Sequence, residues 1–273
     1  MVTAATVVCI CATMLLSLVL PMAALRIFAG KNKKQGIVSA WLLGAAGFFV
    51  TQILIRLPIL TVLQMNSAFM AFAESHLFVY AFGLAFTAGL FELAGRFAVA
   101  KLMRKNLNRK RSLAAGLGHG GIEAIFLVGT TYASNLIFVI MINSGYFDYL
   151  IAQTAGLNVD VSQLELIRTQ LVSYSPAMFL LGGYERILAM AAHVAMSMLV
   201  CYGVAHKKAL PCALLCLLIH TCIDLTAGLM QVLPQNTAYI IIYSILTIVA
   251  AASLWIIKEL YRRWKEDSYD SEE

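Results

Sequence analysis

A chain of 273 residues of which 61% are hydrophobic and 12% charged, with a mean hydropathy of +0.82, is too apolar for a water-soluble globular domain. Its net charge of +6 does not call for a nucleic-acid partner, because the basic residues follow the pattern of a membrane topology. Nothing in the length is left over for a separate soluble domain.

Seven apolar stretches recur along the chain, each long enough to cross a hydrocarbon core of about 30 Å as a helix. They are predicted at 4–29, 36–63, 76–100, 112–144, 177–205, 209–231 and 237–257. The fold class is therefore all-α, a polytopic membrane helix bundle, with 1–257 as one transmembrane domain and 258–273 as a charged cytosolic tail. The first stretch has no basic segment before it and exceeds a signal-peptide core, so it reads as a retained helix. Lys31, Lys33 and Lys34 follow helix 1, KLMRKNLNRKR at 101–111 follows helix 3, and Lys207 and Lys208 follow helix 5. Lys258, Arg262, Arg263 and Lys265 follow helix 7. The opposite loops carry Arg168 beside Asp148, Asp160 and Glu165. All the basic segments thus fall on one side, which places the N-terminus outside and the C-terminus inside.

Smaller features fall between these helices. Arg56, next to Leu57 and Pro58, reads as a snorkelling or kink-associated residue near the outer surface, and His76 and His206 read as interfacial. The exterior loop at 145–176 holds Ser162 and Glu165 at capping-box spacing, and Leu164, Ile167 and Leu171 share one face, which predicts a short interfacial helix. Cys9, Cys11, Cys201, Cys212, Cys216 and Cys222 lie in apolar helix and not in exterior loops, which argues against a disulfide framework. No internal repeat is evident. The acidic end, EDSYDSEE, reads as solvated chain.

Ionisable residues inside membrane helices are costly and ordinarily face the bundle interior. Helix 3 carries Glu92 and Arg96 four residues apart, and helix 4 carries His119 and Glu123 at the same spacing, so each pair shares one helix face. Gly116, Gly118, Gly120 and Gly121 surround His119 and admit close approach of a neighbour. Helix 5 carries Glu185, Arg186 and, two turns on from Arg186, His193; helix 6 carries His220 and Asp224, again four apart. At about 1.5 Å per residue from the basic end, Glu92 lies roughly 12 Å deep, Glu123 and His220 roughly 16 Å, and His193 roughly 18 Å. Separate salt bridges between helices would explain any one pair. Four helices presenting acid, base and imidazole groups in one layer point instead to a single site.

These motifs resemble the YhfC-type intramembrane proteases, within the superfamily of type II CAAX prenyl endopeptidases and PrsW-like proteases. The resemblance rests on Glu92 with Arg96, GHGGIEA around His119 and Glu123, Arg186 with the later His193, and His220 with Asp224, spanning helices 3–6. It differs from the characterised CAAX enzymes in two places: Leu93 follows Glu92 where they have paired glutamates, and Glu123 replaces their second-motif histidine. The resemblance implies hydrolysis of peptide bonds in membrane-associated substrates.

Two chemistries fit these residues. In one, Glu92, or else Glu123, takes a proton from water while His193 and His220 orient the water or the scissile carbonyl and Asp224 fixes the His220 tautomer. In the other, Glu123, His193 and His220 hold a divalent metal such as zinc with a position left for water. An aspartyl dyad would need a second membrane aspartate beside Asp224, and a rhomboid-like site would need a Gly-x-Ser-x-Gly element. A proton-coupled transporter is the alternative outside the enzymes, since buried Glu, Arg and His relays also serve carriers. A non-catalytic scaffold of the same fold is the other. The four motifs in the inner halves of their helices, with the glycines thinning helix 4, predict a water-filled cavity open to the cytosol, with the 101–111 loop at its rim.

Overall fold

The computed structural model describes residues 1–33, 35–156, 161–231 and 233–264; the acidic end of the tail lies outside the described residues, as do Lys34, Asp160 and Lys265. Among the described residues the chain is helical without strands. Seven helices are long and apolar enough to cross a membrane. They are α1 (Ala4–Lys31), α2 (Ile37–Gln64), α4 (Leu77–Leu102), α5 (Arg109–Asn143), α8 (Met178–Ala205), α9 (Ala209–Gly228) and α10 (Gln235–Arg263). Shorter helices lie between them: α3 (Ser67–Ser75), α6 (Tyr146–Gly156) and α7 (Ser162–Ser173). Hydropathy finds the seven because each must satisfy its own backbone in hydrocarbon.

The helices are not uniformly wound. Phe49–Arg56 in α2 and Ala124–Gly129 in α5 are π-helical. In α2 the reason is local: Pro58 has no N–H, and its ring would clash with the carbonyl of Leu54 in a regular α-turn, so the preceding turns widen. This winding sets the directions in which Gln52 and Arg56 project. The helix α3 starts at an Asn66 N-cap, whose side chain accepts the Phe69 N–H at 3.0 Å. The α7 helix was expected to open on a capping box at Ser162. Instead Val161 occupies the N-cap and has no side chain that can cap. Leu171 of α7 is buried in an apolar core with Ile167 against it.

The chain divides into two compact units. One comprises Met1–Met22 and Ala124–Ile187. Its core is Val2, Ile10, Val139, Leu171 and Phe179, tied by side chain to backbone hydrogen bonds: Thr13 Oγ1 donates to Phe179 O at 2.7 Å and Tyr132 OH to the same oxygen at 2.9 Å. The Asn143 amide clasps residue 2, accepting from Val2 N at 2.7 Å and donating to Val2 O at 3.2 Å.

The other unit comprises Ala23–Glu123 and Leu188–Glu273, and holds the large core. Small residues let its helices approach closely. A Cβ at Gly118 of α5 would collide with the Trp41 carbonyl of α2, and one at Gly120 would lie 2.9 Å from the His193 Cβ of α8. Towards the end that carries the basic residues, Val99, Ala100, Met103, Ala114, Ala115, Val200, Cys201, Leu260 and Trp264 are buried in one apolar cluster. All six cysteines are free thiols.

Candidate functional site

Among the described residues of the larger unit, six acidic, basic or imidazole side chains are buried: Glu92 and Arg96 from α4, His119 and Glu123 from α5, His193 from α8 and His220 from α9. They form one connected network around the Glu92 carboxylate, which is 3% exposed. Oε2 is the hub. Arg96 Nη2 donates to it at 3.0 Å, His119 Nε2 lies 3.0 Å away, His220 Nδ1 3.5 Å and His193 Nδ1 3.8 Å. The other oxygen, Oε1, accepts from Gln52 Nε2 at 2.8 Å.

The helices put these groups together by spacing and by close packing. Glu92 and Arg96, one turn apart, form an ion pair along α4. Gly120 leaves room for the His193 ring against α5, where it lies beside His119 with centroids 5.4 Å apart. The edge of Phe48 closes the other flank of His119 at 5.3 Å. Gly89, one turn before Glu92, faces α9, where a Cβ of its own would meet Leu217 at 3.1 Å and the His220 Cβ at 3.4 Å.

Hydrogen-bond partners assign the ring nitrogens. Arg96 Nη2 is a donor only, so His193 Nδ1, 2.7 Å from it, presents a lone pair. His193 Nε2 then carries the proton, and it lies 2.6 Å from Glu123 Oε2, a close contact between imidazole and carboxylate. His220 Nε2 faces Asp224 Oδ2 at 3.2 Å, leaving Nδ1 directed at the hub; that buried nitrogen has no hydrogen-bond partner among the described residues. Two histidines are thus each backed by a carboxylate on the far nitrogen and offer the near nitrogen to one carboxylate oxygen. This is the arrangement that orients imidazoles as metal ligands.

The donor set passes a test for a divalent cation. Ligands at about 2.0–2.2 Å from a tetrahedral ion stand roughly 3.3–3.5 Å from one another; the nitrogens lie 3.0, 3.5 and 3.8 Å from Glu92 Oε2. Glu92, His119 and His193 bring one donor atom each within 4.8 Å of the others. Arg96 Nη2, bridging Glu92 and His193, occupies the positive position now and has to yield part of it to a bound ion. Glu123 stands behind His193 and contacts it through Nε2. Of the sequence-derived candidates, Glu92, Arg96, His119, Glu123, His193, His220 and Asp224 are thus in one place, while Glu185 and Arg186 lie in the other unit and pair with each other at 2.6 Å.

Gln52 carries no charge and does not stand out on its own in the sequence, and Arg56, expected to be snorkelling or kink-associated, has partners the sequence does not indicate. Gln52 is buried and bonded to Glu92, and Arg56 does not snorkel: its Nη1 donates to Gln52 Oε1 at 3.3 Å and its Nη2 to Leu84 O at 2.7 Å. The available signal was their spacing of four residues within an apolar span. The glycine faces of α5 are filled by neighbouring helices, and the space beside Arg96 and His119, bounded by Ser197 and Cys201, is about 10 Å³, room for about one water. Asp224, at 35% side-chain exposure, is the member of the network that reaches the surface most.

The profile of the YhfC intramembrane metalloprotease family matches residues 16–247. The chain is also 32% identical over 233 residues to the membrane protein YhfC of Bacillus subtilis strain 168, covering 84% of this chain and 87% of that protein. No solved structure matches. With residues 16–247 matched by the family profile and 84% of the chain aligned to this relative, the chain belongs to the YhfC intramembrane metalloprotease family.

Proposed function

We propose that this membrane protein is a metal-dependent endopeptidase acting on membrane-associated polypeptides, with Glu92, His119 and His193 holding a divalent cation such as zinc. The observation that carries this reading is the convergence of imidazole nitrogens on Glu92 Oε2 at 3.0, 3.5 and 3.8 Å. Family membership favours an enzyme over a carrier or a scaffold. A bound divalent ion supplies Lewis-acid polarisation of a carbonyl and lowers the pKa of water.

The chain's own residues supply the remainder. Glu123, 2.6 Å from His193 Nε2, favours the tautomer that leaves the lone pair on Nδ1, where Arg96 Nη2 now donates. His220, with Asp224 behind its Nε2, presents Nδ1 as a proton acceptor beside the hub. It takes the proton of the attacking water, and Asp224 stabilises the imidazolium that results, before the proton passes to the leaving amine. Arg96, whose Nη2 already lies among the reacting groups, balances negative charge developing on the carbonyl oxygen.

A glutamic mechanism is the second reading, and the Arg96 bridge between Glu92 and His193 favours it, since a guanidinium there replaces the metal as the local cation. In that case Glu92 is the base. Purified protein in detergent decides between the two when metal content and peptide-library cleavage are measured together, before and after chelation. Metal dependence predicts loss of cleavage on chelation and recovery with added zinc; cleavage that persists in metal-free protein, and is lost in Glu92→Gln, supports the glutamic reading.

A further inference from the structure

We infer that Gln52 and Arg56, on the π-helical stretch of α2, are positioning residues that fix the orientation of the Glu92 carboxylate, holding one oxygen on Gln52 so that the other faces the three histidines. The inference rests on the metal-site reading above and adds to it a device outside the histidine cluster.

The direction of each hydrogen bond is dictated by chemistry. Arg56 can only donate, so the Gln52 amide must present Oε1 to it, and the two atoms lie 3.3 Å apart. That choice turns Nε2 the other way, to Glu92 Oε1 at 2.8 Å and the Ala88 carbonyl at 3.5 Å. An amide in the interior is free to flip when its partners accept either end; here the guanidinium removes that freedom. Arg56 is itself anchored on α4, through Leu84 O at 2.7 Å and Thr87 Oγ1 at 3.4 Å. Donation therefore starts at Arg56 on α2, which gives protons to Leu84 and Thr87 of α4 and to Gln52 on its own helix, and Gln52 donates in turn to Glu92 of α4.

The consequence is a division of labour between the two carboxylate oxygens. Oε1 is committed to Gln52, and Oε2 is left for His119, His193 and His220. Rotation of the Glu92 carboxylate would break the Gln52 bond and withdraw Oε2 from the cluster. The π-helical winding of Phe49–Arg56 is what aims both side chains at α4, and short π segments often mark functional positions. Gln52 is buried in hydrocarbon-facing protein, where an amide needs a specific partner at each end.

The test compares wild type, Gln52→Met, Arg56→Met and the double variant, purified in detergent, with Gln52→Asn as a gentler change should Gln52→Met fail to fold. Cobalt(II) is titrated into metal-free protein, the melting temperature of that protein is recorded, and kcat and KM are measured for a cleaved peptide. Gln52→Met should weaken cobalt binding about 10- to 100-fold, as loss of an outer partner of a metal ligand does, and lower kcat with little change in KM. Arg56→Met should do the same more weakly. The double variant should match Gln52→Met within about twofold, because both act through one bond. Glu92→Gln serves as the control for the metal reading: should wild type take up no more cobalt than Glu92→Gln, that reading fails, and the positioning role is judged by kcat and the non-additivity alone. Wild-type cobalt affinity and kcat in Gln52→Met, or additive losses, or a lower melting temperature with both parameters unchanged, would overturn the inference. Wild type with neither cobalt uptake nor cleavage overturns both.

Discussion

Glu92 of the larger unit and Arg168 of the smaller one carry their charges in opposite surroundings. In the larger one, Glu92 is 3% exposed and has Gln52, Arg96 and three histidines around it. In the smaller one, Arg168 pairs with Asp148 at 2.8 Å with side chains 39% and 67% exposed. Desolvation makes the difference: an isolated buried carboxylate costs far more than an exposed one, so it is found only where several donors offset that cost. A surface pair saves little because water competes for both partners. Burial with many partners marks chemistry or specific architecture; exposure with one partner marks neither.

The largest effect that would sharpen this contrast is expected at the hub. Glu92→Gln keeps the shape of the side chain and removes its charge, and kcat for peptide cleavage should fall at least about 10³-fold. A variant retaining a tenth of wild-type kcat would remove Glu92 from the chemistry. Next comes the packing that delivers the histidines. Gly118→Ala would ordinarily stabilise a helix by up to about 1 kcal/mol, but here the added methyl meets the Trp41 carbonyl, so thermal or denaturant unfolding should show a loss of about 1–3 kcal/mol. Stabilisation would mean that α2 and α5 are not so closely packed.

A smaller effect is expected at the exposed end of the network. Asp224→Asn leaves the His220 ring in place but weakens its support, and kcat should drop about 10- to 100-fold with KM little altered. An equal change in KM alone would assign Asp224 to substrate binding. The smallest effect belongs to the other unit: Arg168→Ala should change unfolding free energy by no more than about 0.5 kcal/mol and leave cleavage unaltered. We also propose that the N-terminus is outside and the C-terminus inside, with α4 and α5 joined on the cytosolic side. A cysteine introduced at Asn108 should then resist an impermeant thiol reagent added to intact cells, and labelling from outside would reverse the orientation.

Much of this was legible in the sequence, for identifiable reasons. A membrane span announces itself by length and hydropathy, so all seven long helices were found within a few residues, except the end of α10, which runs on to Arg263. The pairs Glu92 and Arg96, and His220 and Asp224, were visible because ionisable residues in apolar helix are scarce and a spacing of four puts them on one face. The rest depends on geometry that such patterns do not encode. His119 and Glu123 share a face, so spacing could not rank them as ligands; only the cross-helix distances place His119 at Glu92 and Glu123 behind His193. Pro58 marks Arg56 as kink-associated, and it does end a π-helical stretch, but its bonds to Gln52 and to α4 depend on how α2 and α4 pack. Gln52 carries no charge and so drew no notice. The short helices α3 and α6 lack the length that makes a span conspicuous.

If the proposed function holds, Glu92, His119 and His193 together hold a metal. The most direct measurement of this is the stoichiometry of tightly bound metal in purified wild type beside Glu92→Gln and His193→Ala, after dialysis against a buffer of trace zinc. The account predicts about one zinc ion per chain in wild type and a loss of about 10-fold or more in affinity in each variant, with the apoproteins still folded. Equal metal content in all three, or cleavage-competent wild type free of metal, would contradict it.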